Sequence, residues 1–179
     1  PEGLPIKHHS LDNSPVLPRD YTAPAEIETV IRAICQQVAS RLRHRHLVTS
    51  CLHLGIGYSL TAKTDHPGFA HELKVTATDD TFEINRQLLF IFRRYWQYEP
   101  LRQIRIGLSQ LSPKTGDQLS LFTPPEKQIK KVMFNQVIDQ IRDRFGTSAI
   151  MYANSLVNGG TFRQRIGLVG GHNGVNSFE

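Results

Sequence analysis

Cysteine is scarce in this sequence. Cys35 and Cys51 are the 2 in 179 residues, too few for a disulfide framework, and their spacing matches no metal motif. Long apolar runs are missing as well. None approaches the length of a membrane span, and no signal peptide is visible, so no membrane partner is expected and the cytoplasm is the expected setting. Clustered catalytic groups are also lacking. Asp79 and Asp80 are adjacent carboxylates, which read as helix-capping residues before they read as a metal site. The histidines are scattered without metal spacing. Ser10, Ser59 and Ser109 lack a nucleophile context, and GLVGG lacks the lysine of a phosphate-binding loop. No catalytic residue, metal ligand or cofactor is assigned within these residues.

What is present is basic. The formal charge is +5 and the pI about 9.4, which favours an anionic partner. The apolar fraction of 39% is low for a packed protein but too high for general disorder. The chain begins at Pro1 without an initiator Met and reads as a piece of something longer.

Residues 1–20 read as a linker with a first strand, punctuated by proline. A helix is expected from Pro24 to about His46, with Ile27, Ile31, Ile34, Val38 and Leu42 as its inward stripe. In CLHLGIGYS, Leu52, Leu54, Ile56 and Tyr58 alternate with Cys51, His53, Gly55, Gly57 and Ser59, the period of a strand with one buried face. HELKVTA continues as a second strand with Leu73 and Val75 on one face. Asp80 with Glu83 fits a capping box. It opens a helix that carries Ile84, Leu88, Ile91, Phe92 and Tyr95 and ends near Pro100. RQIRIGLS then points Ile104, Ile106 and Leu108 inward. A third helix is expected from Pro125 to Phe145, with Ile129, Val132, Met133, Val137 and Ile141 as its stripe, and SAIMYANSL reads as a short strand.

This order predicts an α+β fold, a ferredoxin-like split layer. A four-stranded sheet carries two helices on one face and is followed by a helical C-terminal extension. The divisions are 1–20, a DNA-binding domain at 21–111, an exposed segment at 112–124 and an extension at 125–179. The open sheet face would carry glycines and cations, which lets a phosphate backbone approach the strands. The candidate DNA contacts are Lys7, Arg19, Arg43, Arg45, Gly55, Gly57, Lys63, Lys74, Arg102 and Arg105, with Arg105 favoured by its strand position. The bland reading of each cation is ordinary solubility.

Gln118, Leu119, Ser120, Leu121 and Phe122 form the segment QLSLF between SPKTGD and TPPEK. Periodicity alone allows a core strand. The flanks favour an exposed peptide, because SPKTGD has no period and Pro124-Pro125 cannot donate to a ladder. Leu121 and Phe122 would anchor it in a partner's pocket, each contributing about 1.5–3 kcal/mol when fully buried.

These pieces carry a resemblance. HHSLDNSPVLPRDY, VASRLR, CLHLGIGYS, KVTATDDT and IRIGLSQL, in this order, resemble the little-finger domain of Y-family translesion DNA polymerases. The UmuC-like, UV-damage-repair proteins of Gram-positive bacteria are the most similar group. VIDQIRDRFGTSAIMYANSL with the later GGH resembles their C-terminal extension, and QLSLF resembles the pentapeptide that binds the bacterial sliding clamp, the polymerase III β subunit. The resemblance implies a domain that grips primer-template DNA on its major-groove side, works in DNA repair and the SOS response, and recruits its polymerase to the clamp. Catalytic acids and Mg2+ belong to the family's palm, which no part of this chain matches. Arg19, beside RDY, is open between a DNA contact and an anchor of the domain edge. The alternative is a non-catalytic clamp- and DNA-binding regulator. An RNA-binding domain ranks below both, because the expected open face has no aromatic ladder.

Overall fold

The computed structural model describes residues 10–116, 124–146 and 149–150, with the backbone of 168–169 and 172–173. Lys7, QLSLF and most of SAIMYANSL lie outside the described residues.

The elements run β1 (Ser10–Asn13), β2 (Val16–Tyr21), α1 (Pro24–His44), β3 (Leu47–Tyr58), β4 (Gly68–Thr78), α2 (Thr81–Tyr95), β5 (Leu101–Pro113) and α3 (Pro125–Phe145). β6 (Leu168–Val169) and β7 (His172–Asn173) pair with each other as a small separate hairpin. The main sheet has the order β1-β5-β3-β4, and β2 also pairs with β5. β1 and β2 therefore fill one edge position in succession, where the sequence predicted a single first strand. Pro15 lies in the gap between them, and a proline has no N–H to carry a ladder through. The split layer is otherwise as expected, with β5 and β3 in its centre.

The core lies between the sheet and two helices. Leu52, Leu54 and Ile56 from β3 and Ile104, Ile106 and Leu108 from β5 are buried against Ile27, Ile31, Ile34, Val38 and Leu42 of α1 and Ile84, Leu88, Ile91 and Phe92 of α2. Each such side chain contributes about 1.5–3 kcal/mol by leaving water. β3 starts four residues before Cys51, earlier than its alternation suggested. The pairing with β4 shifts between Thr49 and Cys51, and the buried set runs Leu47, Thr49 and Cys51 before it changes parity to Leu52, Leu54 and Ile56. The Thr49 hydroxyl lies 2.7 Å from the Ser109 carbonyl oxygen and 3.0 Å from that of Cys51, which keeps a buried polar group satisfied.

α2 ends at Tyr95, short of Pro100, and Tyr95 leaves the core to stack on His71 with ring centroids 3.5 Å apart. Asp80 does cap the helix, accepting from the Phe82 N–H at 3.2 Å. The reciprocal half of the capping box does not form. The Asp80 N–H donates instead to the Thr78 hydroxyl, and Glu83 accepts from Arg86 and Gln87.

α3 has the expected bounds but shows the opposite face. Ile129, Met133 and Val137 of the expected stripe are about half exposed, while Asn135, Ile138, Asp139 and Arg142 are buried. Polar partners on α1 and at the start of α2 explain the inversion. Arg43 grips Asp139 with two nitrogens at 2.6 and 3.0 Å, and the Ser40 hydroxyl donates to the same carboxylate at 2.9 Å. Arg43 also donates to the Thr81 hydroxyl at 2.7 Å and to the Asp79 carbonyl at 3.1 Å. Asn135 donates to Asp80 at 3.2 Å, Lys131 lies 3.7 Å from the same carboxylate, and His44 meets Asp143 at 2.8 Å.

Two expectations follow from this docking. Removing one partner of a buried ion pair costs about 3–5 kcal/mol. Ile138, the buried apolar residue of α3, contributes only about 1.5–3 kcal/mol. Asp139→Ala should therefore release the helix. Hydrogen exchange should show amides 125–145 losing protection while β3 and β5 keep theirs; equal loss throughout would contradict a locally docked helix.

The second concerns pH. Burial lowers the His44 pKa, but the net shift is upward. The Ser40 carbonyl, the hydrogen bond to Asp143 and the charges of Asp143 and Asp139 favour the imidazolium. A raised pKa adds stability below the ordinary histidine value and loses it as pH rises through the folded value. Exchange at the end of α3 should quicken as pH climbs across that range, and Asp143→Asn should flatten the response.

Candidate nucleic-acid interface

Because α1 and α2 cover one side of the sheet, the alternate residues of β3, β4 and β5 form an open face. Its rows can be read from the strand register. Ser10, Ser109, Cys51 and Lys74 lie in one row across β1, β5, β3 and β4. Asp12, Gly107, His53 and Glu72 form the next, and Arg105, Gly55 and Ala70 the one after. Ser10, Asp12, Ser14, His53, Glu72, Arg105 and Ser109 line a shallow depression on this face.

The glycines make room for side chains as well as for a ligand. A Cβ on Gly107 would meet His53 Cβ at 3.5 Å, and one on Gly55 would meet the far side of the same ring at 3.5 Å. His53 therefore lies across a floor that Gly55 and Gly107 leave low. Gly57 is tighter: a Cβ there would stand 3.0 Å from Gln103 Cβ. Gly68 faces it across the sheet with φ +149°, and its Cβ would stand 1.9 Å from the Ile56 carbonyl oxygen. Only glycine fits that approach.

The sequence candidates divide by environment. Lys74, Arg105, Gly55 and Gly57 share the open face, and Lys74 and Arg105 are exposed there. Arg105 Nε is 3.3 Å from the Ser14 hydroxyl, which also accepts from Gln103 at 2.9 Å. Arg43 is not on this face. It is largely buried beneath α3 and committed to Asp139, which removes it from the DNA candidates. Arg19 is held by both oxygens of Glu26, at 2.9 and 3.0 Å, and lies over the Tyr21 ring. Its pKa is raised by the Glu26 hydrogen bond. The Glu26 pairing ties Arg19 to the start of α1 at the domain edge. Arg102 is likewise tied to the edge, donating to the Leu17 carbonyl at 2.7 Å and pairing with Asp20 at 3.1 Å. Hydrogen bonds from Ser59, Thr61 and Arg102 lower the Asp20 pKa. Lys63 is exposed in the β3–β4 loop and Arg45 is exposed at the end of α1, both away from the rows.

Sequence reasoning missed two participants, Asp12 and Ser14. Asp12 and Glu72 place carboxylates on either side of His53, so the face is not uniformly basic. Ser14, which steadies Arg105, sits in the break between β1 and β2. Period two places Glu72 on the face of Lys74, but nothing local signals the other two. Among the described residues, no group of His, Cys, Asp and Glu could hold a metal ion, and no helix is long and apolar enough to cross a membrane.

Residues 8–121 match the model of the impB/mucB/samB family C-terminal domain. The chain belongs to that family. UvrX of Bacillus subtilis, whose name assigns it to UV-damage repair, is 37% identical over 165 residues, which is 91% of this chain and 38% of UvrX. DNA polymerase IV 2 of Halalkalibacterium halodurans is 28% identical over 94% of this chain and 42% of that protein. DNA polymerase IV 2 of Bacillus subtilis is 32% identical over the same shares. The chain thus spans about two-fifths of these relatives. A solved complex of the β-clamp processivity factor and the little finger domain of PolIV is similar at a TM-score of 0.48 and 14% identity, covering 64% of this chain and 100% of that one. Through the impB/mucB/samB domain the chain is a homologue of UvrX and of DNA polymerase IV.

The glycine geometry sets a test of this face. Crowding at Gly57 should make Gly57→Ala cost about 1–3 kcal/mol in urea unfolding. Gly55→Ala meets only ordinary contacts and should stay within about 0.5 kcal/mol of the parent. Equal costs would contradict the packing described.

Proposed function

We propose that this chain is the DNA-gripping and clamp-recruiting part of an error-prone translesion DNA polymerase. The single observation that carries the DNA half is the open sheet face, where Arg105 and Lys74 flank a low centre with no helix above it among the described residues. Family membership of residues 8–121 supports the same reading. Gly55 and Gly107 let His53 lie flat on the sheet and keep the face low, and the cations neutralise phosphates without reading sequence. Asp12 and Glu72 would repel phosphate, so the contacts concentrate at Arg105 and Lys74. Lys63 and Arg45 are further candidates away from these rows, and Lys7 is a candidate outside the described residues. Nucleotide transfer and its Mg2+ belong to a palm of the parent polymerase, and the DNA substrate places the protein in the cytoplasm, in the damage response.

The clamp half rests on Gln118–Phe122. Leu121 and Phe122 fill the partner's pocket and Gln118 bonds at its rim. Affinity would be micromolar, about 8 kcal/mol. Tethering to DNA raises the effective concentration and makes that sufficient.

Two readouts separate the halves. In anisotropy titrations with a primer-template duplex at several salt concentrations, Arg105→Ala should weaken binding and lower the salt slope by about one. In calorimetry with the bacterial sliding clamp, Leu121→Ala/Phe122→Ala should abolish binding while duplex affinity stays as in the parent. Loss of both activities together would instead place QLSLF in the core. An unchanged salt slope would remove Arg105 from the interface.

A further inference from the structure

α3 buries its polar side and exposes its apolar side, the reverse of a surface helix whose stripe serves its own core. Ile129, Met133 and Val137 recur every four residues on one ridge, at 50%, 58% and 48% exposure. The apolar surface continues onto α2, where Phe82, itself 44% exposed, meets Phe134 with ring centroids 5.9 Å apart. Contiguous apolar surface of this kind marks an interaction site. The polar docking through Arg43, Asp139, Asn135, Asp80, His44 and Asp143 holds the helix with this ridge outward.

What meets the ridge is indicated by the chain that precedes it. Only Thr123 and Pro124 separate Phe122 from the first residue of α3. Extended backbone spans at most about 10 Å from Phe122 to Pro125. Ile129 follows after one helical turn, roughly 6 Å on. Pro124 and Pro125 fix the approach, because each has a restricted φ. A protein that holds Leu121 and Phe122 in a pocket therefore has the start of this ridge within about 16 Å of that pocket. We propose that the exposed ridge Ile129–Met133–Val137 of α3 is a second docking surface for the sliding clamp that takes QLSLF. This inference rests on the clamp reading above. The peptide is the first anchor and the ridge the second, and ordering by the Pro-Pro link lets the two act as one interface.

The test is calorimetry of the full chain with the bacterial sliding clamp, comparing the parent with Ile129→Ser/Met133→Ser/Val137→Ser and with Leu121→Ala/Phe122→Ala. Light scattering and thermal melting are run on each chain alone. The ridge variant is expected to melt with the parent, because its side chains are exposed, and to bind the clamp about ten-fold more weakly. Unchanged clamp affinity in the ridge variant, with the peptide variant inactive, would overturn the second surface and leave the peptide reading standing. A parent that does not bind the clamp at all would overturn both. A parent that is dimeric and becomes monomeric in the ridge variant would assign the ridge to a second copy of this chain instead.

Discussion

The structure depends on the pairing of β3 with β5, from Leu47 opposite Pro113 to Tyr58 opposite Leu101. These central strands bury Leu52, Leu54, Ile56, Ile104, Ile106 and Leu108 on one side. Period two then forces His53, Gly55, Arg105 and Gly107 to the other. With both helices committed to the apolar side, the second face has no helix over it among the described residues. A sheet face left to water must be polar, and a face meant for a phosphate backbone must also be low and cationic. The same pairing that fixes the core thus fixes where Arg105 stands, two residues along β5 from Gly107 and opposite Gly55. A one-residue slip would send the arginine into the helices and a core isoleucine to the surface.

Much of this was legible because it is periodic. Ile27 to Leu42 and Ile84 to Phe92 announce their helices, and Ile104 to Leu108 their strand. Where local signals failed, the cause was a non-local partner. β3 begins before its alternation does, because the irregularity at Thr49–Cys51 breaks the period and the Thr49 hydroxyl stabilises the break from across the sheet. α3 was legible in extent and misleading in face. A hydrophobic stripe is ordinarily the inward one. Here the inward side is chosen by Arg43, Ser40 and Asp80, distant from α3 in sequence and invisible to any local window. Arg43 was misplaced for the same reason. As one of several arginines at a helix end it reads as a phosphate ligand, and only the fold supplies Asp139. The glycines are legible in the strand pattern, but His53 lying across Gly55 and Gly107 requires the register of three strands.

The polar docking of α3 also bears on specificity. The idea that buried charge is retained for uniqueness of structure has exceptions, so it needs a reason particular to this helix. That reason lies in the alternative. If Ile129, Met133 and Val137 packed against α1, the helix would rotate about its axis and turn Asp139 to water. Arg43 would then stay largely buried without its carboxylate, a cost of several kcal/mol against the gain from burying three apolar side chains. The bidentate grip of Arg43 therefore selects one rotation of α3 over another of comparable apolar content. The helix is positioned by charge geometry, and its apolar surface is left available.

Two surfaces then lie on different sides of one small domain. α3 joins the helices through Ser40, Arg43 and His44 of α1 and Asp80 before α2, so it stands with the layer opposite the open sheet face. The segment that carries QLSLF leaves from the end of β5, where the Lys114 N–H is bonded to the His46 carbonyl and its ammonium pairs with Asp79 at 3.0 Å. It returns at Pro125. Both anchors of that segment belong to the helix side. A duplex on the sheet and a protein on the peptide and α3 therefore do not compete for the same residues. Under the function proposed above, that separation would let the domain hold DNA and clamp together. The one-sided sheet supplies it before any particular contact is considered.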